Sequence, residues 1–348
     1  MPLLPMPDAR IVSVIVPCRN ERDHIEAFCR SVAAQQVPEG WMLEVWVADG
    51  LSDDGTRERL SAWCAQDDRF HMIDNPGRIV SCGLNRCIEA SHGEFIVRLD
   101  VHTVYADDYI SRCLAVWQET GADNVGGPWR AQGESGPAAV VQRAVAAAFQ
   151  SRLVAGGALS RDLAYNGEVD TVYLGAWPRA TFERFDGFDE NLVRNQDDEH
   201  NLRMRLGGAR IWQSSRIQST YHPRNSLRHL FAQQRQYGYW RPFVMRKHGQ
   251  PGSVRQLVPA AFVAAAVGAS AALPWSAWPL AALGIAYAGY LLAASVAAVR
   301  SARNWGLLPR LPAAIAAFHV GYGLGTWRGL WDIARSRAPS SDFARITR

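Results

Sequence analysis

The stretch that decides the fold is GEFIVRLDVHT, Gly93–Thr103. The run Phe95–Leu99 follows a glycine and is mostly apolar, which is typical of a buried strand in an α/β sheet. Asp100 and His102 come directly after it, with one residue between them. Because open parallel sheets bind ligands at the carboxyl ends of their strands, a carboxylate and an imidazole here could both reach one divalent cation. The alternative interpretation is a turn aspartate followed by a surface histidine.

Upstream of this stretch, short apolar runs alternate with segments of helical periodicity. Strands are predicted at Val12–Val16, where Pro17 is expected to end the strand, and at Leu43–Val47 and Phe70–Ile73, with helices between them that include Thr56–Gln66 and Gly83–Ala90. This alternation predicts an α/β fold in which a mainly parallel sheet carries helices on both faces. No GxGxxG motif follows the first strand and no GxxxxGK[ST] motif occurs, so the phosphate-binding glycines of dinucleotide-binding folds and P-loop NTPases are missing.

Two acidic clusters are candidate site elements. Asp49, Asp53 and Asp54 follow the second predicted strand, where such residues usually serve turn chemistry but could also hydrogen-bond a nucleotide. The segment QDDEHNLRMRLGG begins with Gln196 and places Asp197 near the start of a predicted helix. Carboxylates at a helix start also suit the positive end of the helix dipole, so this cluster has a purely structural explanation as well.

The C-terminal third indicates a membrane region. No charged residue occurs from Leu257 to Val299, and the runs 258–273 and 278–299 are predicted to form a hairpin across a bilayer. A weaker segment, 311–327, is predicted to be a third span or a re-entrant segment. The basic, aromatic segment 226–247 is either a surface helix with aromatic anchors or an amphipathic helix on the membrane interface. The predicted organisation is therefore a domain over 1–250, a membrane region over 257–332 and a basic tail over 333–348.

Charge and cysteine content narrow the class of partner and the compartment. The formal net charge is only +4, which gives no argument for nucleic acid as a partner. Much of the basic excess lies beside the apolar segments, where membrane lipids are the expected partner. The six cysteines show no CxxC pair and no zinc-like spacing, which favours a reducing compartment.

Four motifs in order carry a family resemblance. PCRNE, ADGLSDDGT, RLDVHT and QDDEHNLRMR follow one another as in glycosyltransferase family 2, whose members have the GT-A fold. With NVGG, VDTVYLG, RNQDDE and YHPR, followed by C-terminal membrane segments, the chain resembles the ExoA-type branch of succinoglycan synthesis more closely. The resemblance covers roughly residues 12–248.

The resemblance assigns expected roles residue by residue. Pro17 and Glu21 match the start of the nucleotide-binding region, and Asp49 matches the aspartate that contacts uracil, although Ala48 stands where the family usually has another aspartate. Asp100 matches the first residue of the DxD metal motif and is also expected to take part in binding the nucleotide-sugar donor.

The remaining two roles concern the metal and the base. His102 replaces the second carboxylate of the DxD motif, and a carboxylate–imidazole pair favours Mn²⁺ over Mg²⁺. Asp197 aligns with the catalytic base of the ED motif, with Gln196 in place of the usual glutamate.

The resemblance implies an inverting glycosyltransferase that acts in exopolysaccharide or cell-surface glycan synthesis. It is expected to move a hexose from a UDP-sugar to a lipid-linked saccharide acceptor, and glucose is the expected hexose. The expected location is the bacterial inner membrane, with the catalytic domain facing the cytoplasm. A polyprenyl-phosphate sugar synthase, a processive polysaccharide synthase and a non-catalytic membrane subunit remain as alternatives. The processive enzyme is disfavoured because Gln233, Gln234, Arg235 and Trp240 fit the QxxRW motif poorly.

Overall fold

The computed structural model describes residues 10–344. The strands are β1 (Arg10–Cys18), β2 (Trp41–Asp49), β3 (Phe70–Asp74), β4 (Phe95–Arg98), β5 (Thr103–Tyr105), β6 (Asn124–Gly127), β7 (Gly167–Glu168), β8 (Tyr173–Pro178), β9 (Ile211–Gln213) and β10 (Ser219–Tyr221). The α-helices are α1 (Ile25–Ala33), α2 (Thr56–Cys64), α3 (Val80–Ala90), α4 (Tyr109–Thr120), α5 (Val140–Gln150), α6 (Arg179–Phe185), α7 (Gln196–Leu206), α8 (Leu227–His248), α9 (Val258–Ala271), α10 (Trp278–Ala302), α11 (Leu311–Ala334) and α12 (Ser341–Ala344).

The chain forms two compact units. The first runs to Arg130 and also includes Asp162–Leu192 and Gln196–Tyr221. The second comprises Ala131–Arg161, Val193–Asn195 and the chain from His222 onward. Within the second unit, α8 packs against α11, and α5 packs against α10 and α11. The predicted domain over 1–250, membrane region over 257–332 and basic tail over 333–348 remain predictions.

The first unit is built on a mixed, mainly parallel sheet. Its strand order is β3-β2-β1-β4-β8-β6-β9-β7, in which β8 runs antiparallel to both β4 and β6. Side chains alternate between the two faces of β1: Val14 packs with α1 and α4, whereas Ile15 packs with α3 and α6. The prediction of a mainly parallel sheet with helices on both faces is confirmed.

Strand β1 extends further than predicted. It continues through Pro17 to Cys18, in register with β2 up to Asp49. On its other side, β4 pairs only with Val12–Ile15. Pro17 therefore needs to give no hydrogen bond to β4, and its missing N–H does not end the strand.

In the second unit, α8 and α11 pack with their backbones in close approach. A Cβ atom added at Gly325 would lie 2.1 Å from the Arg235 carbonyl oxygen, and one at Gly329 would lie 2.3 Å from the Tyr239 carbonyl oxygen. Glycines four residues apart on one helix face allow such contact. Tyr239 and Trp240 on α8 are almost fully buried. These two rings are therefore packed inside the second unit rather than exposed as surface anchors.

Two helical segments in the described part of the chain are long and apolar enough to cross a membrane. They are Val254–Ala271 and Trp278–Ala302, of 18 and 25 residues. They correspond to the predicted hairpin. The weaker segment 311–327 forms part of a continuous helix, α11, which does not meet the same test of length and composition.

Candidate active site

The predicted site residues come from several strands that end at one edge of the sheet. Strands β1, β2 and β4 are mutually parallel, so their carboxyl ends lie together. Pro17 lies at the end of β1, Asp49 is the last residue of β2, and Asp100 comes two residues after β4 ends. The topology thus brings together residues from segments that are far apart in sequence.

The loops after β1 and β2 are held to each other by hydrogen bonds. Asn20 and Asp53 make a reciprocal pair: the Asn20 amide donates to Asp53 Oδ1 at 3.0 Å, and the Asp53 backbone N–H donates to Asn20 Oδ1 at 3.1 Å. The Glu21 backbone N–H donates to Thr56 Oγ1 at 2.8 Å, and Thr56 in turn donates to Asp54. Asp53 and Asp54 therefore stabilise loop structure, as turn chemistry predicts.

Asp49 is fully buried and already has protein partners. The Ser52 backbone N–H and hydroxyl donate to its carboxylate at 3.1 and 2.5 Å. The Arg57 guanidinium lies 2.6 Å from Oδ2 of the same carboxylate and also pairs with Asp74 at 2.8 Å. Asp49 thus fixes the loop that follows β2, while the Asp74 side chain is 57% exposed at the same edge.

The position of Asp100 is set by one buried tyrosine and one buried arginine. The Tyr105 hydroxyl accepts a hydrogen bond from the Asp100 backbone N–H at 2.7 Å and donates to the Asp100 carbonyl oxygen at 3.0 Å. The Arg98 Nε and Nη2 atoms lie 3.2 and 3.4 Å from the two carboxylate oxygens. The Asp100 side chain is 19% exposed, so its carboxylate is held in place yet still accessible to a ligand.

His102 lies over the loop that follows β1. Its Nδ1 atom is 3.6 Å from Glu21 Oε1, and its ring meets the ring of Tyr221 edge-on at 6.4 Å. The side chain is 47% exposed. The structure thus brings His102 next to Glu21, a second residue of the predicted site.

The residues that could hold a divalent cation, together with a bound ligand, are Asp100 and His102. Within residues 10–344, no three His, Cys, Asp or Glu side chains gather closely enough to hold a metal ion alone. Asp100 and His102 supply one carboxylate and one imidazole, both with exposed surface. A cation held by two protein groups needs further ligands, and the oxygens of a bound diphosphate are suited to supply them.

Arg98 connects Asp100 with Asp197. Its Nη1 atom lies 4.0 Å from Asp197 Oδ2, while its other nitrogens contact Asp100. The Arg98 side chain is only 6% exposed, and Nη1 has no hydrogen-bond partner among the described residues. Although burial opposes its charge, the carboxylates of Asp100 and Asp197 raise the pKa of Arg98. One buried cation therefore faces both the predicted metal ligand and the predicted base.

Asp197 stands in the first turn of α7. Burial of its surroundings and the nearby charge of Asp198 raise the pKa of the Asp197 carboxyl, and Arg98 opposes that rise. Because 45% of the side chain is exposed, solvent screens these interactions. The Asp198 backbone N–H donates to Asp197 Oδ1 at 3.0 Å, which orients the carboxylate. Glu199 is fully buried and pairs with Arg203 at 3.0 Å, so it stabilises the helix.

Sequence reasoning missed Arg98 and Arg57. Arg98 interrupts the apolar run before Asp100, and residues two apart on a strand point to the same face. A charged residue inside a strand that is predicted to be buried was therefore a usable signal. For Arg57 the sequence offered no comparable signal, since an arginine near a helix start is unremarkable until Asp49 and Asp74 are known to flank it.

The chain is similar in sequence to known glycosyltransferases and to proteins of succinoglycan biosynthesis. The family model for glycosyl transferase family 2 matches residues 13–159. The chain is 32% identical over 333 residues to succinoglycan biosynthesis protein ExoA of Rhizobium meliloti (strain 1021), covering 92% of this chain and 96% of that protein. It is also 32% identical over 129 residues to succinoglycan biosynthesis protein ExoM of the same organism, covering 36% of this chain and 41% of that protein.

Among solved structures, the fold is similar to that of the mannosyltransferase PcManGT from Pyrobaculum calidifontis, determined in complex with GDP-Man and Mn²⁺. The TM-score is 0.58 at 18% identity, and the match covers 92% of this chain and 87% of that one. This likeness shows the GT-A fold. The 32% sequence identity to ExoA extends over nearly the full length of both chains. This protein is therefore a glycosyltransferase that belongs to family 2, of the ExoA type.

Proposed function

We propose that this protein is a membrane-anchored, inverting glycosyltransferase of exopolysaccharide synthesis. It moves a hexose, for which glucose is the first candidate, from a UDP-sugar to a lipid-linked saccharide. The observation that carries the proposal is the buried guanidinium of Arg98, which faces both Asp100 and Asp197. The carboxylates of Asp100, on the proposed donor side, and Asp197, on the proposed acceptor side, thus lie next to the same guanidinium. The full-length similarity to a succinoglycan biosynthesis protein supports the choice of pathway class.

The donor side is assigned to the loops at the ends of β1, β2 and β4. Pro17 and Glu21 would line the nucleotide, and Asp49 would contact the base, in addition to its present bonds to Ser52 and Arg57.

Asp100 and His102 would hold a divalent cation, with Mn²⁺ preferred to Mg²⁺ because one ligand is an imidazole nitrogen. When bound, the cation would neutralise charge that develops on the departing diphosphate.

On the acceptor side, Asp197 would act as general base. An acceptor hydroxyl is a weak nucleophile, so a carboxylate must take its proton as the new bond forms. The acceptor oxygen bonds to the anomeric carbon, the bond from that carbon to the diphosphate oxygen breaks, and its electron pair leaves with the nucleoside diphosphate. Attack opposite the leaving group inverts the anomeric configuration, and no covalent enzyme intermediate is formed.

The proposed location is the bacterial inner membrane, with the first unit on the cytoplasmic side. Two helices of sufficient length and apolar character support membrane association. Nucleotide sugars are cytoplasmic, and no disulfide joins any of the six cysteines. A lipid-linked acceptor is the natural substrate for an enzyme that carries its own membrane segments.

A donor and acceptor screen tests the function. The purified chain in lipid vesicles is incubated with UDP-sugars or GDP-mannose, with Mn²⁺ or Mg²⁺, and with lipid-linked saccharides or polyprenyl phosphate. We expect UDP release together with a longer glycolipid. GDP release would refute the UDP assignment, and a product made only on polyprenyl phosphate would indicate a polyprenyl-phosphate sugar synthase. Absence of any nucleotide-sugar binding by calorimetry would indicate a non-catalytic subunit.

A matched pair of variants tests the base. Asp197→Asn should lower turnover by roughly two to four orders of magnitude, the usual contribution of a positioned base, with donor affinity nearly unchanged. Asp198→Asn, its neighbour in the same helical turn, should be much milder. If the two variants show the reverse order, Asp198 is the base. If Asp197→Asn loses donor binding but keeps turnover at saturation, Asp197 is not the base.

A further inference from the structure

Three aromatic residues of the first unit, Trp129, Tyr173 and Tyr221, form what we call the aromatic cluster. The rings of Trp129 and Tyr173 lie within 17° of parallel, with their centroids 6.0 Å apart. The Tyr221 ring meets both of them, at centroid distances of 5.3 and 6.3 Å. Trp129 and Tyr173 are half-buried, so the cluster is not closed off from a ligand.

The sheet topology places the aromatic cluster at the same edge as the candidate site. Strand β6 runs parallel to β4, because both are antiparallel to β8. Trp129 comes two residues after β6, just as Asp100 comes two residues after β4. Tyr173 is the first residue of β8 and pairs with Gly127 at the end of β6. The end of β6 and the start of β8 thus share the edge at which β1, β2 and β4 end.

Contacts with the segment after β4 bring the cluster directly beside the proposed metal ligands. The Tyr173 hydroxyl lies 2.9 Å from Thr103 Oγ1, within hydrogen-bond distance. Tyr221 pairs with Thr103 across β10 and β5, and its ring meets the His102 ring edge-on at 6.4 Å. The aromatic cluster therefore borders the pair Asp100 and His102 on the side away from β1 and β2.

The order of strands along this edge matches the order of groups in a nucleotide sugar. The central strands run β2-β1-β4-β8-β6. The base is assigned to the ends of β1 and β2, and the diphosphate with its cation to the end of β4. Neighbouring strands are about 4.8 Å apart, so β6 lies about 10 Å beyond β4. The sugar is bonded to the diphosphate on the side away from the nucleoside, which directs it toward β8 and β6.

The chemistry of the cluster suits a sugar ring. A pyranose presents faces of C–H groups, which are apolar, and a rim of hydroxyl groups. Ligand sites typically combine aromatic surface with a few polar groups that fix orientation. Here the rings of Trp129 and Tyr173 supply the surface, and the hydroxyls of Tyr173 and Thr103 are polar groups at its border. Each hydroxyl can both donate and accept a hydrogen bond.

We propose that Trp129 is a substrate-binding residue whose ring stacks on a pyranose ring, either the hexose of the donor or the terminal sugar of the acceptor. The two sugars meet where the new bond forms, so both belong on this side of Asp100. The inference rests on the proposed function, because the placement of the base and the diphosphate defines which side the sugars occupy. It concerns binding alone and adds no chemical step.

Calorimetry on the full chain in lipid vesicles with Mn²⁺ tests the donor sugar. Binding of UDP-glucose is compared with that of UDP, and binding of GDP-mannose with that of GDP, so that each pair differs only by the sugar. The variants are Trp129→Leu, which removes the ring, and Trp129→Phe, which keeps a smaller one. Trp212→Leu is the matched control, because Trp212 is also a half-buried tryptophan of the first unit but pairs with Val125 inside the sheet.

The acceptor sugar is tested by transfer to polyprenyl-diphosphate-linked glucose, galactose and N-acetylglucosamine. If the ring stacks on the donor hexose, Trp129→Leu should weaken binding of the nucleotide sugar about two- to tenfold and leave the nucleotide unaffected. If it stacks on the acceptor, the KM for the acceptor should rise by that factor, with binding of donor and nucleotide unchanged. In either case Trp129→Phe should lose less than Trp129→Leu.

The proposal is overturned if Trp129→Leu matches Trp212→Leu in both assays, or if it weakens nucleotide and nucleotide sugar equally. An unaltered chain that binds no nucleotide would instead refute the proposed function, and this inference with it. If Trp129→Leu does not fold, the unaltered chain labelled with 5-fluorotryptophan decides the question. The fluorine resonance that Trp129→Phe lacks should shift with UDP-glucose but not with UDP, or with the lipid-linked sugar in the presence of UDP. A resonance that moves with none of these sugars would overturn the proposal.

Discussion

Replacing Arg98 by methionine would remove the one charge that faces both Asp100 and Asp197 while keeping a long, apolar side chain. Arg98 Nη1 lies 4.0 Å from Asp197 Oδ2, and its Nε and Nη2 atoms lie 3.2 and 3.4 Å from the Asp100 carboxylate. The guanidinium opposes a rise in the pKa of Asp197 that burial and Asp198 produce. Its loss should therefore raise that pKa further.

The strength of the Arg98–Asp197 interaction follows from the distance between the two charged groups and from the exposure of Asp197. Two unit charges 4 Å apart interact by about 1 kcal/mol in water and about 4 kcal/mol at an effective dielectric constant of 20. Asp197 is 45% exposed, so the lower part of this range applies. Loss of an interaction of about 1 kcal/mol should therefore raise the pKa of Asp197 enough to move the acid limb of a pH profile.

The sign of the pH effect is fixed by the role of the base. Asp197 accepts a proton only when it is ionised, so a higher pKa moves the acid limb of the kcat/KM profile to higher pH. Activity of Arg98→Met should fall most at acidic pH, and the part of the loss that is due to Asp197 should recover as the pH rises. The profile of kcat/KM is the appropriate measurement because it reports ionisations of the free enzyme.

Arg98→Lys serves as the control. It keeps the positive charge but not the forked geometry that lets one side chain meet two carboxylates. Its acid limb should stay closer to that of the unaltered enzyme than the limb of Arg98→Met does. A profile of Arg98→Met that is uniformly lower, with its acid limb unmoved, would refute the argument that Arg98 controls the ionisation of Asp197.

Three further predictions concern the metal, the helix packing and the topology. Asp100→Asn should abolish transfer and weaken metal-dependent donor binding, measured by calorimetry with and without Mn²⁺. His102→Asp should keep activity but shift the preference from Mn²⁺ toward Mg²⁺, and an unchanged metal dependence of His102→Ala would exclude His102 as a ligand. Gly325→Ala should lower the free energy of unfolding by about 1–3 kcal/mol, because the added Cβ would lie 2.1 Å from a carbonyl oxygen of α8. Gly284→Ala on α10, where nothing lies within 4 Å, should be nearly neutral, and equal melting temperatures for the two variants would contradict the packing argument. If segment 311–327 does not cross the membrane, a reporter fused to the basic C-terminal tail should be active on the cytoplasmic side, and activity only on the far side would show a third crossing.

Much of the fold could be predicted because it depends on local patterns. Apolar runs of strand length alternating with helical periodicity predict a mainly parallel sheet, and the observed order places β1 between β2 and β4. The same topology explains why motifs from distant segments converge, since parallel strands share one carboxyl edge. Pro17 shows where local rules failed, because the end of a strand depends on which neighbour it pairs with and not only on its own residues.

Only part of the candidate site could be predicted from local sequence patterns. Asp100 and His102 lie two residues apart in sequence and could be found together, whereas the position of Asp197 next to Arg98 joins segments about a hundred residues apart. Asp49 was predicted as a nucleotide contact, but its partners Ser52 and Arg57 become visible only in the folded loop.

By itself the sequence determined the succession of strands and helices, the order of the family motifs and the apolar helices, because each depends on residues close together in the chain. Tertiary structure alone decided that α8 buries its aromatic rings, since Tyr239 stacks on Phe343 and donates to Asp332 of α11, and Trp240 donates to the Phe343 carbonyl oxygen. It also decided that Tyr290 of α10 donates a hydrogen bond to the carbonyl oxygen of Leu153, which follows α5 in the chain. Hydrogen bonds and close packing between distant segments depend on how the chain returns on itself, and no local pattern encodes that path.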